Sequence, residues 1–289
     1  GPKMDRLDLA ILSAFWFASF GLRLWNYATI PVPRNDELSE GRLALRILQG
    51  YYPLTNNAKF MGSFFQYTLA VFYGIFGTDP STARLMSVFF GASTVAITYV
   101  LTKELYDRKT GLIASSLLMV SVAHILIPSH VGWSASLTPF FGTLTIYLAN
   151  RALATKRMLF FFAAGVASGI TLQTHPSSAF LLLGLGIYLL TFCARKPLIT
   201  RRRLVLAISI FGGFCLGYIN MIYFNLVNPL ASLASAQNAK WTGLSTLITW
   251  NIYASRVQSL SAEYLRMMGD LMVMTENFAV ILSNFKALF

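Results

Sequence analysis

The chain has 289 residues, 55% hydrophobic and only 12% charged, with a mean hydropathy of +0.58, too apolar and charge-poor for an ordinary soluble domain. Its 23 Lys and Arg against 11 Asp and Glu give a net charge of +12, which in a membrane chain is first a matter of loop placement, so no nucleic-acid partner is expected. Cys193 and Cys215 both lie in apolar runs, which excludes a disulfide scaffold and a CxxC metal or redox motif.

The opening GPKM reads as a protease scar followed by an initiator Met, with no cleavable signal after it, so the first apolar run is expected to be retained. A bilayer core of ~30 Å takes about 20 apolar residues in a helix. The first predicted span is 7–27. A long segment, 28–81, follows it. After the helix-incompatible PVP at 31–33, NDELSEGRLALRILQG predicts an amphipathic helix that puts Leu38, Gly41, Leu45 and Leu48 on one face and ends at Gly50 and Pro53. Residues 61–77 form an apolar stretch at the lower limit for spanning, with Gln66 inside. Six further spans are expected at 82–103, 110–128, 134–151, 157–174, 177–194 and 204–226. Residues 228–289 are read as an extracytoplasmic segment, with 271–289 able to begin an eighth span or to pack on the outer surface. The predicted fold class is thus all-α, a polytopic bundle of about seven spans, with 1–227 as the membrane module.

Orientation follows from parity. If 61–77 does not cross, Lys103, Arg108, Lys109, Arg151, Lys156, Arg157, Arg195, Lys196 and Arg201 to Arg203 share a side with Lys3 and Arg6, and that side is cytoplasmic. The short opposite loops, 129–133 and 174–177, then carry no Lys or Arg. Thirteen of the 23 cations are accounted for by topology, and 28–81 becomes an extracytoplasmic loop roofed by an interfacial helix at 61–77. Trp25, Tyr27, Tyr51, Tyr52, Trp133, Trp241 and Trp250 fall near the expected outer boundary, as an aromatic belt requires, with stacking on a sugar as the alternative for Trp133. Gly165 and Gly169, and Gly184 and Gly186, are expected at close helix contacts.

Asp36 and Glu37 form an adjacent acid pair at the predicted helix N-terminus just outside the membrane. One reading is local: Asn35 or Asp36 caps the helix and Glu37 favours its dipole. The other is chemical: a carboxylate at the rim of a low-dielectric cavity accepts a proton from an incoming hydroxyl. His130 and His175 border the two short outer loops and could bind phosphate or sugar hydroxyls, or simply bond a loop carbonyl, and the same holds for His124.

The order of DE at 36–37, RILQG at 46–50, FGTDPSTARL at 76–85 and LYDRKTGLIASSLL at 105–118 resembles the polytopic GT-C glycosyltransferases, in particular the protein O-mannosyltransferase and aminoarabinose-transferase branch. The resemblance spans about residues 7–190. It implies a membrane glycosyltransferase that takes a sugar from a polyprenyl-phosphate donor and passes it to a lipid, glycan or protein acceptor on the extracytoplasmic side, in a bacterial or archaeal plasma membrane. Asp36 would then match the catalytic acid and Glu37 its helper. Cations would steady the departing phosphate: Arg34 and Lys59 first, then Arg84, Lys240, Arg256 and Arg266, with Arg84 equally readable as a snorkelling anchor. No cofactor is expected, and without a second acidic motif of the DxD type no metal is indicated.

The resemblance weakens at SHVGWSAS, where the family pattern would place an Arg near His130 and an acid near Ser134 or Ser136. Family members also carry further spans, so the chain is expected to be truncated or minimal. The competing classes are a transporter or flippase, disfavoured by the absence of charge at any predicted span centre, and an inactive scaffold.

Overall fold

The computed structural model describes residues 4–30, 35–194 and 201–238. The chain divides into two units, Gly1–Ser235 and Ala236–Phe289, and the helical bundle lies in the first. Among the described residues every extended regular element is a helix, with one isolated bridge between Thr55 and Gly62.

Local sequence explains where the helices start. α1 (Arg6–Leu24) opens on a capping box in which the Asp5 carboxylate accepts from the Asp8 N–H and the Asp8 carboxylate accepts from the Asp5 N–H. α2 (Asn35–Leu48) and α3 (Phe64–Phe76) occupy the segment between the first two long helices. α4 (Pro80–Leu105) has Asp79 as its cap and Pro80 in its first turn, and α5 (Arg108–Val120) is capped by Asp107. Ser121 breaks the next helix and caps the short α6 (Val122–Leu126). A 3-10 turn, Ser134–Leu137, leads into α7 (Thr138–Thr155). α8 (Met158–Thr174), α9 (Ser178–Ala194), α10 (Arg201–Gly217), α11 (Ile219–Val227) and α12 (Ala231–Asn238) complete the set.

Each of the seven predicted spans coincides with a helix or a helix pair. Among the described residues two of them, α1 and α4, are long and apolar enough to cross a bilayer, and α10 with α11 makes a third if the pair, bent by 72°, is one span. The predicted span 110–128 is split at Ser121, and 204–226 bends at Tyr218. α3 has 13 residues, about 20 Å of helix, too short to cross the core.

α4 is the central helix, packed against α1, α3, α5 and α7. A cluster of Ala44, Phe65, Leu69, Tyr73, Met86 and Phe141 joins α2, α3, α4 and α7, so the segment between α1 and α4 is seated on the bundle by apolar burial. α8 and α10 meet glycine to glycine. A Cβ at Gly169 would stand 2.6 Å from the Phe214 carbonyl oxygen, and one at Gly165 would stand 2.8 Å from the Phe214 nitrogen. Gly213 and Gly217 present the reciprocal face, so the glycine spacing read in α8 has its partner in α10. Gly184 and Gly186 have no described atom within 4 Å of a Cβ built on them, and the expectation of close packing there is corrected.

Several cations first assigned to topology also have structural partners. Asp8, fully buried, accepts from Tyr99 Oη at 2.8 Å and Arg108 Nε at 3.0 Å and pairs with Lys103; Arg151 pairs with Glu104 at 3.2 Å. Arg23 has a different task. Its fully buried guanidinium donates to Ser19 and Ser129 hydroxyls, to His124 Nδ1 at 2.8 Å, and to the Leu118 and Met119 carbonyls just before the break at Ser121. A helix end freed of intrahelical partners is thereby satisfied from α1.

The buried face of α2 is rotated from the predicted one: Gly41 is buried and Leu45 packs against the core cluster as expected, but the two outer leucines do not. Leu38 and Leu48 are exposed, at 39% and 51%, whereas Glu37, Glu40, Gly41 and Ala44 are buried. Small residues decide this: a Cβ at Gly41 would stand only 2.8 Å from Tyr73 Oη, so the Gly41–Ala44 side allows close approach to α3 and carries the two glutamates inward.

Candidate functional site

α2 enters the site with Asp36 in its first turn, exposed, and Glu40 one turn later, buried. Both line a polar cavity of about 220 Å³ together with Ser39. The turn around Asn56 to Met61 supplies Asn56 and Asn57, and Trp133, Ala135 and His175 close the far wall. That turn is fixed by its own bonds: the Asn56 side chain accepts from the Ala58 N–H, and Ser232 and Ser235 of α12 donate to the Lys59 and Ala58 carbonyls.

A second, apolar groove of about 540 Å³ lies alongside, lined by Ile127, Pro128, Pro139, Ile146 and Leu181. It shares Trp133, Ala135 and His175 with the polar cavity, so one wall is common to a carboxyl-bearing chamber and an apolar channel.

Glu40 is 6% exposed. Its Oε2 accepts from Ser134 Oγ at 2.5 Å and Gln66 Nε2 at 3.2 Å. Burial pushes its carboxyl up to about 7; the hydrogen bonds from Ser134 oppose the rise and the charge of Asp36 adds to it. Gln66 Oε1, on the amide that donates to this carboxyl, and Trp133 Nε1, on a residue lining the same cavity, are buried with no hydrogen-bond partner among the described residues. His175 Nδ1 accepts from the Ser177 N–H at 3.2 Å, which assigns the proton of the neutral ring to Nε2. Burial holds that ring below the usual histidine range, so it is neutral at pH 7.

The remaining predicted residues fall elsewhere. Glu37 is clamped by Arg84 through two bonds of 2.8 Å and accepts from the Gly132 N–H at 2.7 Å, while Arg84 also donates to the Tyr27 and Ala28 carbonyls. This buried ion pair ties α2 to α4, to the end of the α1 segment and to the 129–133 loop. The Arg84 guanidinium, expected on phosphate, is committed to that brace. His130 is 1% exposed, with Nδ1 at 2.9 Å from the Ile30 carbonyl and Nε2 at 2.8 Å from the Arg23 carbonyl, so no ring nitrogen remains for a ligand. The alternative of a histidine bonded to loop carbonyls is the one realised there. Lys59 is exposed in the turn beside the cavity, with a positive φ of 54°. Arg34, Lys240, Arg256 and Arg266 lie outside the described residues.

Glu40 is not among the residues the sequence singled out for the site, and Trp133, expected in the aromatic belt with sugar stacking as the alternative, lines both chambers. The signal for Glu40 was its position four residues after Asp36, on the face marked by Gly41 and Ala44. Ser134, where the family pattern would place an acid, holds a carboxyl that α2 supplies instead.

No curated protein matches the chain. A family model does: that of dolichyl-phosphate-mannose-protein mannosyltransferase matches residues 62–216, from just before α3 to the end of α10, and leaves Asp36 and Glu40 ahead of the matched stretch. The match covers more than half of the sequence and takes in the apolar helices, Trp133 and His175 that wall both chambers. The chain is therefore a membrane protein that belongs to the dolichyl-phosphate-mannose-protein mannosyltransferase family.

Proposed function

We propose that the protein transfers a sugar from a polyprenyl-phosphate donor to a hydroxyl-bearing lipid, glycan or protein acceptor, with inversion at the anomeric carbon. The observation that carries this reading is the shared wall. A polar chamber with a solvent-reached carboxylate, Asp36, opens beside an apolar groove through Trp133, Ala135 and His175. A lipid-linked sugar has the same two halves, and the groove suits its isoprenoid chain.

In the proposed reaction the acceptor oxygen attacks the anomeric carbon, and its proton passes to the Asp36 carboxylate. The bond from that carbon to the phosphate oxygen breaks, and the electron pair leaves with the polyprenyl phosphate. Glu37 acts through position, holding α2 against Arg84 so that Asp36 stands at the cavity mouth. Lys59 is the described cation nearest in chain position to the cavity lining, and Arg34, Lys240 and Arg256 are further proposed partners for the developing phosphate charge. Packed helices around the chamber keep water from competing with the acceptor.

The orientation that fits has the N-terminus and the Asp8, Lys103 and Arg108 cluster on the cytoplasmic side, and α2 on the extracytoplasmic side of a bacterial or archaeal plasma membrane. One observation favours a second reading, a lipid or solute carrier: α10 and α11 form a bent pair, as broken helices of transporters do. Purified protein in vesicles, supplied with polyprenyl-phosphate sugar and a hydroxylated acceptor, separates the two. The glycosyltransferase yields glycosylated acceptor and free polyprenyl phosphate, whereas movement of the intact donor without product would establish the carrier.

A further inference from the structure

The walls of the polar cavity carry two carboxyls, two asparagine amides, a serine, an imidazole and an indole, with no Lys or Arg among the described lining residues. A phosphate placed there would face Asp36 and Glu40 without a counter-charge. A neutral, hydroxyl-rich ring has the opposite preference, because carboxylates and amides accept and donate to hydroxyls in pairs. Glu40 is built to meet such a ring. Its carboxyl is pinned by the Ser134 hydroxyl and the Gln66 amide at Oε2 and by a backbone bond from Ser134, so little side-chain freedom is lost when a ligand binds. Gln66 Oε1, an unsatisfied acceptor, belongs to the amide that binds this carboxyl, and Trp133, whose Nε1 is an unsatisfied donor, lines the same cavity.

We propose that Glu40 is a specificity-determining residue that accepts hydrogen bonds from hydroxyls of the donor's sugar ring, which sits in the polar cavity against Trp133. This deepens the glycosyltransferase reading and rests on it. The phosphate lies outside this chamber, and Asp36 remains the group that faces the acceptor. The carboxyl of Glu40 has a stability cost when ionised in this buried place, a cost expected of a group kept for binding. The titratable groups facing it are Asp36 on its own helix and His175 from the loop after α8, held by burial below the usual histidine range; the 3-10 turn and α3 offer uncharged partners, and the Asn56 turn lines the cavity with uncharged residues and carries the exposed Lys59 beside it.

The test compares wild type with Glu40→Gln and Trp133→Phe for the KM of the donor between about pH 6 and pH 8, with thermal unfolding as a check on folding. In wild type the donor KM rises roughly tenfold as Glu40 gains its proton at the acid end. Glu40→Gln shows the raised KM at every pH, loses the pH dependence, and keeps kcat within about threefold. Trp133→Phe raises KM and keeps the pH dependence. A Glu40→Gln enzyme with the wild-type KM and pH profile, or one that only unfolds earlier, overturns the inference and leaves the transferase reading standing. A second measurement needs no turnover: saturation-transfer NMR of methyl mannoside and methyl glucoside with the intact protein. Glycoside binding that weakens toward acid pH and disappears in Glu40→Gln supports the inference even where transfer fails, and binding of neither glycoside by a transfer-competent wild type overturns it.

Discussion

Arg84→Met removes one half of the brace that ties α2 to the bundle. The pair is nearly closed to solvent, with side-chain exposures of 3% for Arg84 and 6% for Glu37, and two bonds of 2.8 Å join them. Losing the guanidinium strands a buried carboxylate that keeps only part of its set, including the Gly132 N–H, and frees the Tyr27 and Ala28 carbonyls. Removing one partner of a buried pair costs about 3–5 kcal/mol, on the order of 10 °C in Tm. Because α2 carries Asp36, sugar transfer falls together with stability. The double variant Glu37→Gln with Arg84→Met recovers much of the loss, since no unpaired charge remains buried. Thermal unfolding of the four proteins in one detergent gives the coupling directly. An Arg84→Met protein within about 1 kcal/mol of wild type, or a double variant whose loss is the sum of the singles, would refute the brace.

Gly169→Leu forces a side chain into the Phe214 carbonyl and separates α8 from α10, lowering stability by about 1–3 kcal/mol or more, while Gly184→Ala, with no described atom within 4 Å of the added Cβ, leaves Tm within about 1 °C. Asn220 Nδ2 shares its two hydrogens among the Leu54 carbonyl, Gln173 Oε1 and, at 3.3 Å, Ser63 Oγ, and Gln173 in turn donates to the Gly217 carbonyl at the bend, so Asn220→Ala speeds limited proteolysis near Tyr218. The pH dependence of stability has a definite sign at Glu40: its folded value of about 7 lies above the ordinary 4.5, so its stabilising effect is complete below 4.5 and is lost as pH rises through 7. Glu40→Gln therefore unfolds at a higher temperature than wild type at pH 8, and the gap closes toward pH 4.5; a constant gap across that range would contradict the assignment.

The membrane class, the helices and the α8 glycine contact were legible because hydropathy and the spacing of small residues act locally. Asp79, Asp107 and Pro80 mark helix starts for the same reason. What the sequence concealed depends on distance along the chain. The partner of Glu37 lies 47 residues away at Arg84, and that of Glu40 lies 94 away at Ser134, so neither pairing leaves a periodic trace. The leucines of α2 misled for a related reason: in a membrane chain an apolar face need not be the packed one, and Gly41 and Ala44 show the side of closest approach better than Leu38 and Leu48 do. His130 and Arg84 look like ligands in the sequence because unused polar groups near a membrane surface are rare, and they prove to be the means by which loop carbonyls and an inward carboxylate are satisfied.

The most direct test is the transfer rate of Asp36→Asn, measured on purified protein with a polyprenyl-phosphate sugar and a hydroxylated acceptor, beside its thermal unfolding. The side chain is exposed at the first turn of α2, so the substitution leaves the fold and Tm close to wild type. The proposed base accounts for a loss of about 10²–10⁴-fold in turnover with the donor still bound. A folded Asp36→Asn protein that transfers sugar at the wild-type rate would contradict the assignment of Asp36 as the base.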